Sequence, residues 1–252
     1  MSLLKVEHLS KSFGGVHAVE DLSFEIDEGI VYSVIGPNGA GKTTLFNLIS
    51  GVYTPTSGDI YLDDQVTKGL APHQLAKNGL SRTFQNLQIC MNMSAIENVM
   101  VGRHLRLDSG LLKAMFRWPS ITRGDKACRD KAAELMEFSG VGKYIDVEAD
   151  SMPYGALKRL EIARALAAEP RILFLDEPAA GLNGTETAEI DSLIQKVAES
   201  GVTVVLVEHD MKLVMNISDR LLVLDYGKKL AEGTPEQIRR NPDVIAAYLG
   251  AA

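Results

Sequence analysis

Residues 36–44 read GPNGAGKTT and directly follow the apolar run IVYSVI. Gly36, Gly41, Lys42 and Thr43 satisfy the pattern G-x-x-x-x-G-K-[ST], in which glycines let a loop wrap until successive N–H groups point inward. The run before the loop predicts a buried strand, and the pattern that begins at Lys42 predicts a helix. This strand–loop–helix context supports the match, and a nucleoside triphosphate is the ligand that fits such a loop.

Each part of the loop has a predicted role in holding phosphate. The helix N-terminus contributes partial positive charge, Lys42 reaches the outer phosphates, and the Thr43 hydroxyl takes a place on Mg²⁺. We therefore predict that the whole loop lines the nucleotide site. Its residues are Gly36, Pro37, Asn38, Gly39, Ala40, Gly41, Lys42, Thr43 and Thr44.

A phosphate loop needs carboxylates nearby, because a metal ion and an attacking water must be held opposite the leaving group. The segment RILFLDEP supplies them, since its apolar residues deliver Asp176 to the C-terminal end of a predicted buried strand. Ligands of open α/β sheets bind at that end. We predict that Asp176 holds the metal through water and that Glu177 polarises the nucleophilic water.

Composition excludes several classes of protein. The chain has 252 residues, of which 46% are hydrophobic and 23% charged, which is typical of a folded domain with a full core. Its net charge of −7 and scattered basic residues argue against nucleic acid as a partner. No segment approaches the roughly 18 apolar residues of a membrane span, and no export signal is recognisable. Cys90 and Cys128 lack metal-ligand spacing, and we expect reduced thiols in a cytosolic protein.

The order of predicted elements indicates an α/β fold. Strand patterns fill the first sixty or so residues, whereas residues 90–150 have helical spacing in SAIENVMVGRHL, GLLKAMF and DKACRDKAAELMEFSGV. Helices and uninterrupted apolar strands then alternate to the end, which predicts a parallel sheet covered on both faces. A final helix is predicted after Thr234, with Pro235 at its first position and Gln237 as the capping-box partner.

With these motifs in this order, the sequence resembles an ABC-transporter ATPase over nearly its whole length. The resemblance implies a single ABC ATPase domain over residues 1–252. Its P-loop NTPase core with an N-terminal antiparallel β-subdomain would comprise residues 1–88 and 156–252. An inserted α-helical subdomain, which meets membrane subunits in that family, would comprise residues 89–155.

The resemblance also assigns roles to residues that would be weak candidates alone. Phe13 in KSFGG matches the aromatic residue that stacks on adenine, and Ala18 lies near the base. Gln85 in RTFQN matches the glutamine that contacts Mg²⁺ and water and links the nucleotide to the membrane partner. His209 in VLVEHD matches the histidine that contacts the γ-phosphate. ATP and Mg²⁺ are the ligands implied.

The family's signature segment, Leu-Ser-Gly-Gly-Gln, is altered here to MPYGA, residues 152–156. Gly155 keeps a backbone N–H at a helix N-terminus, whereas Pro153 has neither hydroxyl nor N–H. We expect the contact across a cassette pair to be about 10- to 150-fold weaker for lack of that hydroxyl. Our hypothesis is that this signature closes the weaker site of an asymmetric pair. Asn183 also stands where an aspartate is common.

Finer resemblance, in RLEIARAL, DEPAAGLN, GTPEQI and NPDVIAAYLG, is to the LivG-type ATPases of bacterial branched-chain amino acid importers. That branch implies two membrane permeases, a periplasmic substrate-binding protein and a second ATPase, either of the LivF type or a second copy. It also implies a peripheral position on the cytoplasmic face of the inner membrane. The substrates leucine, isoleucine and valine follow from the resemblance alone.

Other functions use a similar loop. The ATPase of a lipid or lipopolysaccharide exporter has a similar size, and its permease would distinguish it. A soluble ABC protein of DNA repair or translation usually has a long coiled-coil interruption or two cassettes in one chain, and this sequence has neither. A P-loop kinase or GTPase would not require Gln85, His209 or the YG…RLEIARAL block.

Overall fold

The computed structural model describes residues 2–104 and 119–249, and the predicted helix GLLKAMF lies outside them. Two compact units make up the chain. The core unit comprises residues up to Arg82, then Arg171–Glu177, and residues from Asp191 onward. The helical unit comprises the remainder, Thr83–Pro170 and Pro178–Ile190.

The strands and helices alternate in a way that agrees with the sequence patterns. In chain order the elements are β1 (Ser2–Phe13), β2 (Val16–Asp27), β3 (Val31–Ile35), α1 (Lys42–Ile49), β4 (Ser57–Leu62), β5 (Gln65–Val66), α2 (Pro72–Lys77), β6 (Leu80–Arg82), α3 (Ala95–Gly102), α4 (Pro119–Phe138), α5 (Tyr154–Leu166), β7 (Ile172–Asp176), α6 (Gly184–Glu199), β8 (Thr203–Val207), α7 (Met211–Ile217), β9 (Arg220–Asp225), β10 (Lys228–Gly233), α8 (Pro235–Arg240) and α9 (Pro242–Leu249).

An antiparallel sheet forms the N-terminal part of the core unit, in the order β2-β1-β4-β5. Two glycines, Gly14 and Gly15, join β1 to β2, and both have positive φ, of 51° and 90°. A two-residue turn with positive φ at both positions matches the twist of the flanking strands. The turn pairs Phe13 with Val16 and leaves Phe13 exposed near the tip of the hairpin.

The second sheet has the order β10-β9-β3-β8-β7-β6. Its five strands from β9 to β6 are parallel, and β10 pairs with β9 antiparallel. All residues of β3, β7 and β8 are buried, which explains why their sequences are apolar without alternation. Parallel pairing places the carboxyl ends of β3, β8 and β7 at one edge, and an α/β fold is confirmed.

Helix α1 is fixed to the sheet by an aromatic contact. Phe46 of α1 and Phe174 of β7 are fully buried, and their rings meet edge to face with centroids 5.0 Å apart. Such a contact contributes about 0.5–1.5 kcal/mol beyond the burial of the two rings. It ties the helix that follows the glycine-rich loop to the strand that carries the acid pair.

The helical unit is built from α3, α4 and α5, which pack on one another through buried residues such as Ile96, Val99, Met136 and Leu160. Contacts of α5 with α3 and α4 place residues 156–170 in this unit, which also includes residues 83–88 and 178–190. The subdomain bounds 89–155 that the resemblance implies stay a prediction.

One further prediction concerns membranes. In residues 2–104 and 119–249, no helix has the length and apolar character needed to cross a bilayer.

Candidate functional site

The glycine-rich loop connects β3 to α1, and Gly41 is the N-cap of that helix. Gly41 has φ 99° and ψ 3°, and a Cβ atom there would lie 2.4 Å from the carbonyl oxygen of Ala18. Only glycine combines this conformation with so close an approach. The first turn of α1 carries no acidic side chain, so its N–H groups retain their partial positive charge for an anion.

Lys42, the first residue of α1, closes the loop through its side chain. Its ammonium donates hydrogen bonds to the carbonyl oxygens of Gly36, at 2.7 Å, and Pro37, at 2.9 Å. Burial lowers the pKa of Lys42, and the carboxylates of Glu177 and Asp176 act in the opposite direction. The loop therefore holds a buried cation close enough to two acids to feel their charge.

A cavity of about 220 Å³ lies over the loop, lined by Ala18, residues 38–44 and His209. The structure thus brings Ala18 and His209, both predicted from the sequence, to the loop. Phe13 is not among the lining residues. It exposes 43% of its surface, with the Tyr53 ring 5.3 Å away and the Lys11 ammonium 5.0 Å from its centroid.

Glu177 and His209 form a pair at the carboxyl edge of the parallel sheet. Nε2 of His209 lies 2.8 Å from Oε1 of Glu177. Glu177 has φ 50°, a left-handed conformation that costs a non-glycine residue about 1–2 kcal/mol, and its N–H donates to the Val207 carbonyl oxygen at 2.9 Å. Strain of this kind persists where surrounding structure fixes it, and functional sites are common places for it.

The sequence analysis missed Arg82, which orients Asp176. The guanidinium donates to Oδ2 of Asp176 at 3.0 Å, to Asn47 Oδ1 at 2.7 Å and to Ser50 Oγ at 2.8 Å. The side chains of Arg82 and Asp176 are only 6% and 7% exposed. Removing either partner of such a buried pair leaves an uncompensated charge. The only signal in the sequence is an arginine three residues before Gln85.

Two predicted site residues, Gln85 and Gly155, belong to the helical unit. Gly155 is the second residue of α5 and is buried, and a Cβ atom there would lie 2.6 Å from a carboxylate oxygen of Glu186. Pro153, the N-cap of α5, offers no side-chain hydrogen bond. Asn183 accepts hydrogen bonds from the N–H groups of Thr185 and Glu186, each at 3.0 Å, and so caps the start of α6.

Helix α9 lies against the phosphate loop, a contact that the sequence did not predict. Residues 246–248 of α9, residues 36–40, His209 and residues 225–226 line a cavity of about 550 Å³. Burial raises the pKa of Tyr248 to about 12, while a hydrogen bond from the main-chain N–H of Gly36 lowers it. The last helix of the chain thus contacts the first residue of the phosphate loop.

The residues present suit a metal that shares its ligands with a nucleotide. Among the described residues, no group of three or more His, Cys, Asp or Glu side chains could hold a metal ion alone. Asp176, whose Oδ2 accepts from Arg82, and the exposed hydroxyl-bearing residue Thr43 can each contribute an oxygen ligand. Mg²⁺ commonly binds through one or two protein oxygens together with substrate phosphates.

Substitution of two loop glycines should separate steric fit from backbone strain. Gly39 and Gly41 both have left-handed φ, but a Cβ at Gly39 would meet nothing within 4 Å. We expect Gly39→Ala to lower the free energy of unfolding by about 1 kcal/mol, and Gly41→Ala to lower it by at least about 2 kcal/mol more, because its Cβ overlaps a carbonyl oxygen. Urea unfolding measures both; equal losses would contradict the close approach of Ala18.

Two family models match parts of this chain. Residues 19–180 match the family model for ABC transporters. Residues 228–252 match a model described as a branched-chain amino acid ATP-binding cassette transporter.

Individual relatives cover nearly the whole chain. The high-affinity branched-chain amino acid transport ATP-binding protein LivG of Escherichia coli K12 is 48% identical over 251 residues, which are 99% of this chain and 98% of LivG. The ADP conformation of MJ1267, an ATP-binding cassette of an ABC transporter, has a TM-score of 0.86 and 30% identity, covering 99% of each chain. A dimeric cassette, MJ0796 bound to ADP and Pi, has a TM-score of 0.76 and 26% identity, covering 92% of this chain and 98% of that one.

Proposed function

The chain belongs to the ABC transporter family, and from this membership we propose that it hydrolyses ATP to drive import of branched-chain amino acids. The observation that supports hydrolysis is the Glu177–His209 pair. It lies at the same edge of the sheet as the phosphate loop that Lys42 closes. The substrate class is supported by the match of residues 228–252 and by the identity to LivG along nearly the full chain.

Binding of ATP follows from the charges of the loop. The first-turn N–H groups of α1 and the Lys42 ammonium would together bind the β- and γ-phosphates. On binding, Lys42 exchanges the carbonyl oxygens of Gly36 and Pro37 for phosphate oxygens, which are stronger acceptors because they are charged. Ala18 and Phe13, on the β1–β2 hairpin, are assigned to the adenine side of the nucleotide.

Hydrolysis forms a bond between a water oxygen and the γ-phosphorus while the bond to the β–γ bridging oxygen breaks. The Glu177 carboxylate accepts a hydrogen bond from that water and polarises it. His209 contacts Glu177 through Nε2, and we assign to it the contact with the γ-phosphate. Thr43 and Asp176 of the core unit would hold Mg²⁺, which when bound neutralises phosphate charge. Arg82 keeps the Asp176 carboxylate in one orientation.

We assign a second cassette as a partner. The N-terminus of α5 presents the N–H of Gly155 next to an N-cap, Pro153, that lacks a hydroxyl. In a head-to-tail pair this end of α5 would close over nucleotide bound to the other cassette. The second cassette is a LivF-type ATPase or a copy of this chain, and the likeness to a dimeric cassette supports pairing.

We also assign membrane permeases as partners of the helical unit. The large apolar side chains exposed in the described part of this unit include Phe84 by 45%, Met91 by 41% and Val101 by 43%, and Phe84 adjoins Gln85. Apolar side chains beside a residue that contacts nucleotide suit a docking surface for a subunit driven by ATP. The complex would place this chain on the cytoplasmic face of the inner membrane, with a periplasmic protein delivering the amino acid.

Two substitutions separate binding from turnover. Lys42→Ala should weaken ATP binding about 100-fold or more, because it removes charge-assisted hydrogen bonds to phosphate. Glu177→Gln should leave affinity within about threefold and lower ATP turnover by about 10²- to 10⁴-fold. Titration with a fluorescent ATP analogue and phosphate release measure the two effects. Wild-type turnover in Glu177→Gln would refute its role as the base.

Pro153→Ser tests the altered signature. Serine is a favoured N-cap, so the substitution adds a hydroxyl without disturbing the start of α5. We expect nucleotide-driven association of the assembled complex to strengthen about 10- to 150-fold, through one hydrogen bond to a charged phosphate. Pro153→Ala is the matched control, because it removes the proline ring and adds no hydroxyl. Equal association in both variants would contradict the hypothesis.

The substrate and the direction of transport are tested with the complex. We expect the chain to co-purify with permeases encoded beside it, and cells that produce the complex to take up radiolabelled leucine, isoleucine and valine only when ATP turnover is intact. The Glu177→Gln complex is the control, since it retains its subunits and loses energy supply. Export of a lipid, with no uptake of these amino acids, would instead support the exporter alternative.

A further inference from the structure

A buried carboxylate on α5 holds the segment that contains Gln85. Glu161 is only 3% exposed, and its Oε1 accepts a hydrogen bond from the main-chain N–H of Gln88 at 3.2 Å. The main-chain N–H of Phe84 donates to the same carboxylate. The two donors flank Gln85, so one side chain fixes both ends of residues 84–88, the Gln85 segment.

A second side chain of the same helix completes the attachment. Nη1 of Arg164, three residues after Glu161, donates a hydrogen bond to the carbonyl oxygen of Gln88. Side chains three residues apart lie on one face of a helix. Both main-chain polar groups of Gln88 are therefore bonded to one face of α5, although Gln88 precedes that helix by more than sixty residues in the sequence.

The chemistry of Glu161 argues for a purpose other than packing. Burial raises the pKa of its carboxyl group, while the main-chain N–H groups and the charges of Lys158 and Arg164 lower it. A buried carboxylate is costly unless hydrogen bonds compensate it, and an apolar residue would fill this helix position at lower cost. The compensating donors are the N–H groups of the Gln85 segment, so the carboxylate and the segment hold each other in place.

We propose that Glu161 is a positioning residue for ATP hydrolysis, which with Arg164 fixes the Gln85 segment to α5. The first turn of this helix carries Gly155, so the Gln85 segment is bonded to the same helix that presents Gly155. The inference rests on the proposed function, because it concerns the part that Gln85 plays in ATP hydrolysis. It gives the start of α5 and the Gln85 segment, separated in sequence, one common attachment.

Three substitutions of Glu161 distinguish the effect of its side-chain length (its reach) from the effect of its charge. Glu161→Gln keeps an acceptor oxygen at the same distance, whereas Glu161→Asp keeps the charge near Lys158 but is one methylene shorter. Glu161→Ala removes both. In the assembled complex we expect Glu161→Asp and Glu161→Ala to lower kcat at least about tenfold with KM for ATP within about threefold, and Glu161→Gln to stay within about threefold in both.

Hydrogen exchange tests the attachment directly. The amide protons of Phe84 and Gln88 should exchange at least about tenfold faster in Glu161→Ala and Glu161→Asp than in the wild-type chain, and at a near wild-type rate in Glu161→Gln. Glu134→Ala is the matched control, since Glu134 is an exposed glutamate of the same unit, paired with Lys131. It should change neither exchange at these amides nor kcat.

The outcomes distinguish this inference from the proposed function. Slow exchange and full kcat in Glu161→Ala would overturn it. So would a Glu161→Gln variant as impaired as Glu161→Ala beside an active Glu161→Asp, because charge rather than reach would then matter. If Glu161→Ala fails to fold, the Gln and Asp variants still decide. Absence of ATP turnover in the wild-type complex would refute the proposed function, whereas the exchange rates would still test the attachment.

Discussion

Parallel hydrogen bonding among β3, β8 and β7 is the constraint on which the site depends. Because the carboxyl ends of parallel strands meet at one edge, the phosphate loop, the acid pair and His209 lie near one another although they are far apart in the sequence. The edge also accepts Glu177 in a left-handed conformation, since its N–H bonds to the last residue of β8. The sheet thus positions the functional groups, and the residues that follow its strands supply those groups.

Much of this arrangement is predictable from the sequence because its signals are local. The glycines around Lys42 allow the conformation of the loop, and the apolar residues before Asp176 form a buried strand. The predicted α/β fold is confirmed. Arg82 was missed because its role depends on pairing between β6, a strand of three residues, and β7, which lies about ninety residues later. No periodicity in so short a strand specifies a partner.

The limits of the helical unit illustrate the same difficulty. Composition and spacing predict that residues 90–150 are helical. Helix α5 packs with these helices, although most of its residues lie in the segment 156–252 that the resemblance assigns to the nucleotide core. Its attachment to residues 84–88 through Glu161 depends on side-chain hydrogen bonds across a long sequence separation. Patterns of hydrophobicity report which face of a helix is buried, and they do not report which loop that face receives.

The bonds from Lys42 to its own loop have a consequence for how ligands are distinguished. The Lys42 ammonium donates hydrogen bonds to two neutral carbonyl oxygens, so a ligand must offer a stronger acceptor to replace them. A nucleoside without phosphate offers nothing better, while each added phosphate strengthens the competing attraction. Selection among adenine compounds would then depend on an exchange of hydrogen-bond partners at a single atom, Nζ of Lys42.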